Sequence, residues 1–118
     1  MNLKSNYPCP CCGFLVFTEP SGSYEICPVC DWEDDHVQMR FPTMAGGANK
    51  KSLWEAQQHL LKQIPVDIKN HEGFVRDHAW RPLRPQECDD ASVQPKDGQQ
   101  YFNKASESSV DYYWLKKN

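Results

Sequence analysis

The chain has 118 residues, a formal charge of −3, nine prolines and six cysteines, and its mean hydropathy is negative. That length holds one domain, or one domain and a tail, with a modest core, and nowhere does it offer an apolar run long enough to cross a bilayer. Residues 1–47 set Lys4 and Arg40 against Glu19, Glu25, Asp31, Glu33, Asp34 and Asp35, an acidic balance that repels phosphate backbones, while the rest is nearly balanced and signals neither nucleic acid nor an anionic membrane.

Met1-Asn2-Leu3-Lys4 leads to the first cysteines without an apolar stretch, so no secretory signal and a cytoplasmic location are expected. Next come two similar strings, Cys9-Pro10-Cys11-Cys12-Gly13 and Cys27-Pro28-Val29-Cys30-Asp31. Paired Cys-x-x-Cys spacing without a secretory signal favours metal over disulfides. Zinc takes four thiolate or imidazole ligands in a tetrahedron, and each turn offers two sulfurs. Cys9, Cys12, Cys27 and Cys30 are the predicted ligands of one structural zinc. Proline fixes φ after the first cysteine, and Gly13 and Asp31 stand where a positive φ closes the turn. Cys11 is the odd thiol, a small residue in the third turn position or a redox-sensitive group beside the metal. Iron is the alternative metal, because two such knuckles also build a rubredoxin-like one-iron site.

Between the knuckles, Phe14-Leu15-Val16-Phe17 reads as a strand, Glu19-Pro20-Ser21-Gly22 as a turn and Tyr24-Glu25-Ile26 as a returning strand. The expectation is a zinc ribbon, a β-hairpin with a knuckle at each base. Asp31-Trp32-Glu33-Asp34-Asp35-His36 follows, either a solvated acidic loop with Trp32 over the metal or a contact surface for a basic protein. Residues 41–49 read as a linker or ordered loop. Ser52 and Glu55 form a capping box that opens a helix over Leu53–Gln63, burying Leu53, Ala56, Leu60 and Ile64 before Pro65 stops it.

Beyond Pro65 the pattern weakens, with a short helix over Asn70–Asp77 as one reading and an extended Arg81–Pro85. Residues 88–103 look irregular, with a turn at Asp97-Gly98. Val110–Leu115 fits a strand or a helical face, and its aromatics must dock on the body or on a partner. Tyr113 and Trp114 therefore join Trp32, Glu33, Asp34 and Asp35 as candidate partner contacts. His36, His59, His71 and His78 show no ligand spacing. Lys50, Lys51, Arg76, Arg81 and Arg84 are the residual case for nucleic acid, opposed by the acidic N-terminal part. Pro8-Cys9-x-x-Cys12 has half of a zinc-deaminase signature, but no His-x-Glu precedes it.

Tyr7 through Phe14, Tyr24 through Cys30, Trp32-Glu33-Asp34-Asp35, Gly46-Gly47-Ala48-Asn49, Ser52-Leu53 and Glu55-Ala56 together resemble the bacterial cysteine-rich CPCC-domain family over roughly residues 7–87. The resemblance implies a metal-bearing, zinc-ribbon-like fold, and an immunity or accessory partner in a toxin system as the kind of role. The overall expectation is a small α+β protein: a ribbon region over 1–47, a capped-helix region over 48–87 packed on it, and an irregular, aromatic-ended extension over 88–118. Its predicted work is non-enzymatic contact with another protein, such as a basic toxin domain, since four thiolates leave zinc no open position. A redox protein using the metal or Cys11 is the alternative.

Overall fold

The two Cys-Pro-x-Cys turns fold as a repeated unit in the computed structural model, which describes residues 7–88 and 112–115. In the first, Gly13 donates its amide to the Cys9 carbonyl at 2.7 Å and Cys9 donates to Phe14 at 3.0 Å; in the second, Asp31 donates to Cys27 at 2.8 Å and Cys27 to Trp32 at 2.9 Å. Each closes on a left-handed residue, Gly13 at φ 84° and Asp31 at φ 68°, as their residue types predict. Glycine takes that conformation freely, whereas an L side chain there costs about 1–2 kcal/mol, tolerated best by Asp or Asn.

Each knuckle is the tip of its own hairpin. β1 (Tyr7–Pro8) pairs antiparallel with β2 (Leu15–Phe17) around the first. Around the second, Tyr24 donates to the Asp34 carbonyl, Asp34 donates to Glu25, and Ile26 bridges Glu33. This corrects the expected hairpin of Phe14–Phe17 against Tyr24–Ile26. A knuckle already reverses the chain, so the segments entering and leaving one knuckle are the ones brought into register. Between the two hairpins the Glu25 carboxylate, not a strand, accepts the Thr18 and Glu19 amides at 3.0 and 3.1 Å.

A short helix, α1 (His36–Arg40), follows and is too brief to show periodicity in the sequence. Asp35 caps it, its Oδ1 accepting the Val37 and Gln38 amides at 2.9 and 3.2 Å. Fully buried Gln38 then orders the next loop: its amide nitrogen donates to the Met44, Asn49 and Lys51 carbonyls, and its oxygen accepts the Asn49 amide. Asn49 extends this wiring to the second hairpin, exchanging two hydrogen bonds with the backbone of Glu33.

α2 (Leu53–Gln63) has the predicted bounds and the complete capping box of Ser52 with Glu55. Leu53, Gln57, Leu60 and Ile64 form its inward row, and Ala56 is half-buried at its side. The short helix expected over Asn70–Asp77 is instead a hairpin of β3 (Asn70–His71) and β4 (Phe74–Val75). Glu72 and Gly73 both have positive φ, the two-residue turn whose twist matches paired strands. Phe14 bridges Arg76, which joins this hairpin to β2. Arg84 is extended as expected, and a 3-10 turn at Pro85–Glu87 follows it. Tyr113–Leu115 forms another 3-10 turn that docks on the body, neither the strand nor the α-helical face expected there. The predicted turn at Asp97-Gly98 lies outside the described residues. Both knuckles, α2, Trp80, Leu83, Tyr113 and Trp114 contribute to one buried cluster. Among the described residues, no helix is long and apolar enough to cross a membrane.

Candidate metal centre

The two hairpins meet at their tips, and that meeting builds the site. The Sγ atoms of Cys9, Cys12, Cys27 and Cys30 all lie within 4.8 Å of one another. Across the hairpins, Cys9 faces Cys30 and Cys12 faces Cys27, each pair at 3.7 Å. A Zn–S bond of about 2.3 Å gives a regular tetrahedron sulfur–sulfur edges of about 3.8 Å. The donor set therefore has the size and chemistry of a tetrathiolate metal site, a geometry that also suits iron. Cys9, Cys12 and Cys27 are completely buried and Cys30 is half-buried.

Electrostatics explains why such a set calls for a cation. Burial pushes the Cys9 thiol well up, and the adjacent Cys27 and Cys11 sulfurs are the foremost causes that push Cys12 and Cys30 up. Cys27 moves the other way, held down first by the Cys12 hydrogen bond. Its sulfur also accepts the Val29 and Cys30 amides at 3.3 and 3.4 Å. Four thiolates this close repel one another, and a divalent ion at their centre lets all four ionise together.

The family model described as cysteine-rich CPCC matches residues 7–79, which include both knuckles, α2 and the β3–β4 hairpin. The chain belongs to the cysteine-rich CPCC family. The match ends at residue 79, short of the end near residue 87 expected from the motifs. No curated protein matches the chain.

In this CPCC chain the first knuckle is gripped by side chains from far along the sequence. Gln57 donates to the Pro10 and Cys11 carbonyls at 3.2 and 3.3 Å and accepts the Leu83 amide at 2.7 Å. Trp80 donates its indole N–H to Pro10 at 3.1 Å. The Tyr113 hydroxyl reaches the Arg81 carbonyl and accepts from Gln57 at 3.0 Å. Arg76 donates from Nε to the Cys12 carbonyl at 2.7 Å. None of these four was singled out as a support for the metal centre by motif or spacing. Gln57 alone had a signal, since it stands four residues after Leu53 and three before Leu60 on the inward face of α2.

The acidic segment is not a solvated loop. Trp32, Asp34 and Asp35 are buried, and only Glu33 of the four predicted contacts in that segment is half-exposed. Asp34 Oδ2 accepts the Gly22 amide at 3.2 Å, the Ser23 amide at 3.0 Å and the Ser23 hydroxyl at 2.7 Å, which shapes the entry to the second hairpin. Burial nonetheless raises the Asp34 pKa above the usual carboxylate range. Tyr113 and Trp114 are buried too, at 6 % and 8 % exposure. The carboxylates hold the fold because short polar side chains next to a turn find backbone amides before they find solvent, and the rings hold it by packing in the buried cluster.

Cys11 is buried and its carbonyl serves Gln57, while its sulfur stays outside the set of four. No histidine joins a ligand group among the described residues. Two of the arginines considered for nucleic acid are engaged internally, Arg76 in the core and Arg81 in a bidentate pair with Glu87 at 2.7 and 2.9 Å. That pair holds the Glu87 carboxyl below its usual pKa.

Proposed function

We propose that this CPCC chain is a non-enzymatic protein-interaction module in which one structural zinc on Cys9, Cys12, Cys27 and Cys30 locks two hairpins tip to tip. The observation that carries this is the closed set of sulfurs at tetrahedral spacing, because four protein thiolates leave zinc no position for a substrate or an activated water. A reduced thiolate set belongs in a reducing compartment, here the cytoplasm.

The contact surface is the outer face of the second hairpin. Ile26 is 62 % and Tyr24 44 % exposed, and exposed Asp31 and half-exposed Glu33 stand beside them. An apolar centre rimmed by carboxylates suits a basic protein partner. The most concrete version, taken from the family resemblance, is an immunity or antitoxin-like protein that neutralises a toxin domain. Ile26→Lys tests the surface. A pull-down at moderate salt with the wild-type chain should retain one stoichiometric partner, which Ile26→Lys should lose with its zinc content unchanged. Co-expression with that partner should relieve its toxicity. A partner held equally by both chains would move the interface elsewhere, and no partner at all would contradict the module.

The half-buried Cys30 lines a cleft of about 330 Å³ with Asp31, Trp32, Lys50 and Lys51. That access at Cys30 supports a second reading, a rubredoxin-like iron protein that exchanges electrons through the metal site; a thiol-dependent redox version would use Cys11, which is buried. A red protein absorbing in the visible would select it.

A further inference from the structure

Arg76 is buried at 3 % exposure, and among the described residues no carboxylate lies within salt-bridge distance of it. All its hydrogen bonds go to neutral carbonyls: Nε to Cys12 at 2.7 Å, Nη1 to Pro65 at 2.6 Å and Ile68 at 2.9 Å, and Nη2 to Ile64 at 3.3 Å. The guanidinium also lies 4.6 Å from the Phe14 ring centroid and 5.0 Å from that of Trp80. Ile64 and Pro65 follow directly after α2, so the negative end of that helix's dipole faces the cation. Partial charges and ring faces solvate an arginine, and exposed Asp67 helps from beyond salt-bridge distance, yet an enclosed full charge without a close counter-charge is costly.

The counter-charge is supplied by the other anomaly in the same core. Zinc with four thiolates carries a net double negative charge, which protein sites offset with amide hydrogen bonds to sulfur and with outer-shell groups. The two knuckles divide these devices unequally. Cys27 Sγ accepts two backbone amides, whereas among the described residues no backbone amide is bonded to the sulfur of Cys9 or Cys12. The first knuckle instead has Arg76 fixed on the backbone of Cys12, a proposed ligand, at 2.7 Å. We propose that Arg76 is the counter-charge of the metal centre, a positioning residue that offsets the tetrathiolate's negative charge and fixes the Cys12 arm of the first knuckle. This rests on the metal-site reading above.

The test measures zinc affinity of the full chain by competition with a chromophoric chelator, for wild type, Arg76→Lys and Arg76→Met. Lysine keeps the charge but cannot reproduce the planar fork; methionine keeps length and apolar fit without either. Removing the charge should weaken zinc binding roughly 10- to 100-fold, the range seen when outer-shell partners of metal ligands are lost, and lysine should recover most of that loss. A lysine variant as weak as the methionine variant would reduce Arg76 to a hydrogen-bonding strut and overturn the proposal, as would a methionine variant with wild-type affinity. A cycle with Cys30→His, which removes one negative charge from the centre, adds a second readout. The cost of Arg76→Met should shrink in that background, and an unchanged cost contradicts a charge-based role. Should Arg76→Met fail to fold even with zinc, a lysine variant holding zinc as wild type does supports the proposal, and one that also fails overturns it. A wild-type chain that binds neither zinc nor cobalt would remove the metal reading itself.

Discussion

The two knuckles share a backbone and differ in everything that surrounds it. The first is covered: its Pro10, Cys11 and Cys12 carbonyls are taken by Gln57, Trp80 and Arg76, and the Trp80 ring presses on Gly13. The second is held from within its own neighbourhood, by two amides on Cys27 Sγ and by the Asp34 carboxylate at its hairpin entry, while Pro28 and Asp31 face solvent. One knuckle is built into the core and the other remains at the surface. A local turn motif thus fixes where the sulfurs point, and distant residues decide which turn becomes the anchor.

The proposed metal is what the two share, so removing its ligands is the most severe way to break the contrast. Cys12→Ser and Cys27→Ser should each abolish cooperative unfolding of the described core, because structural zinc contributes on the order of 10 kcal/mol of apparent folding free energy in small zinc domains. Circular dichroism with and without a chelator reads this, and a folded Cys27→Ser chain would show that the core suffices without the second knuckle.

Gly13→Ala sharpens the contrast next. A methyl there would lie 2.4 to 2.8 Å from three Trp80 ring atoms at a φ of 84°, so backbone strain and overpacking should together cost about 2–4 kcal/mol in a urea titration. Gln57→Leu should follow at about 1–3 kcal/mol, since it leaves the Cys11 carbonyl and the Leu83 amide without their partner, while Pro10 keeps the Trp80 indole.

Smaller effects are expected on the second hairpin. The raised pKa of buried Asp34 means that the folded chain binds its proton more tightly than the unfolded chain does. Its contribution should therefore fall as pH rises from the usual carboxylate range through that raised value. Asp34→Asn, which keeps an acceptor oxygen for Gly22 and Ser23, should lose less stability than wild type over that rise, and urea midpoints along a pH series check the sign. Asp31→Gly should change least, stabilising by at most about 1 kcal/mol through relief at φ 68°. A cost as large as that of Gly13→Ala would erase the distinction between the knuckles.

The knuckles and their four clustered cysteines, both left-handed closing residues, and α2 with its capping box were legible because each is written in a few adjacent residues. The strand pairing was misread because two apolar runs flanking a Glu19–Gly22 turn look like one hairpin, although each knuckle is itself a reversal. Glu72-Gly73 carried the β3–β4 turn in the sequence, but histidines and charges around it hid any strand period. The grip on the first knuckle was invisible for another reason: Arg76 reaches Cys12 across 64 positions and Trp80 reaches Pro10 across 70, and no local pattern encodes such contacts. The acidic segment misled because composition counts Asp34 and Asp35 as charge, whereas their geometry makes them a turn anchor and a helix cap.

Elemental analysis of the purified full chain tests most directly whether four cysteines from two hairpin tips hold one metal ion. Beside the wild-type chain, Cys9→Ser serves as the comparison. One zinc per wild-type chain that survives gel filtration, and its loss in Cys9→Ser, is the predicted result. A folded wild-type chain without metal, its four thiols open to a thiol reagent, would contradict it.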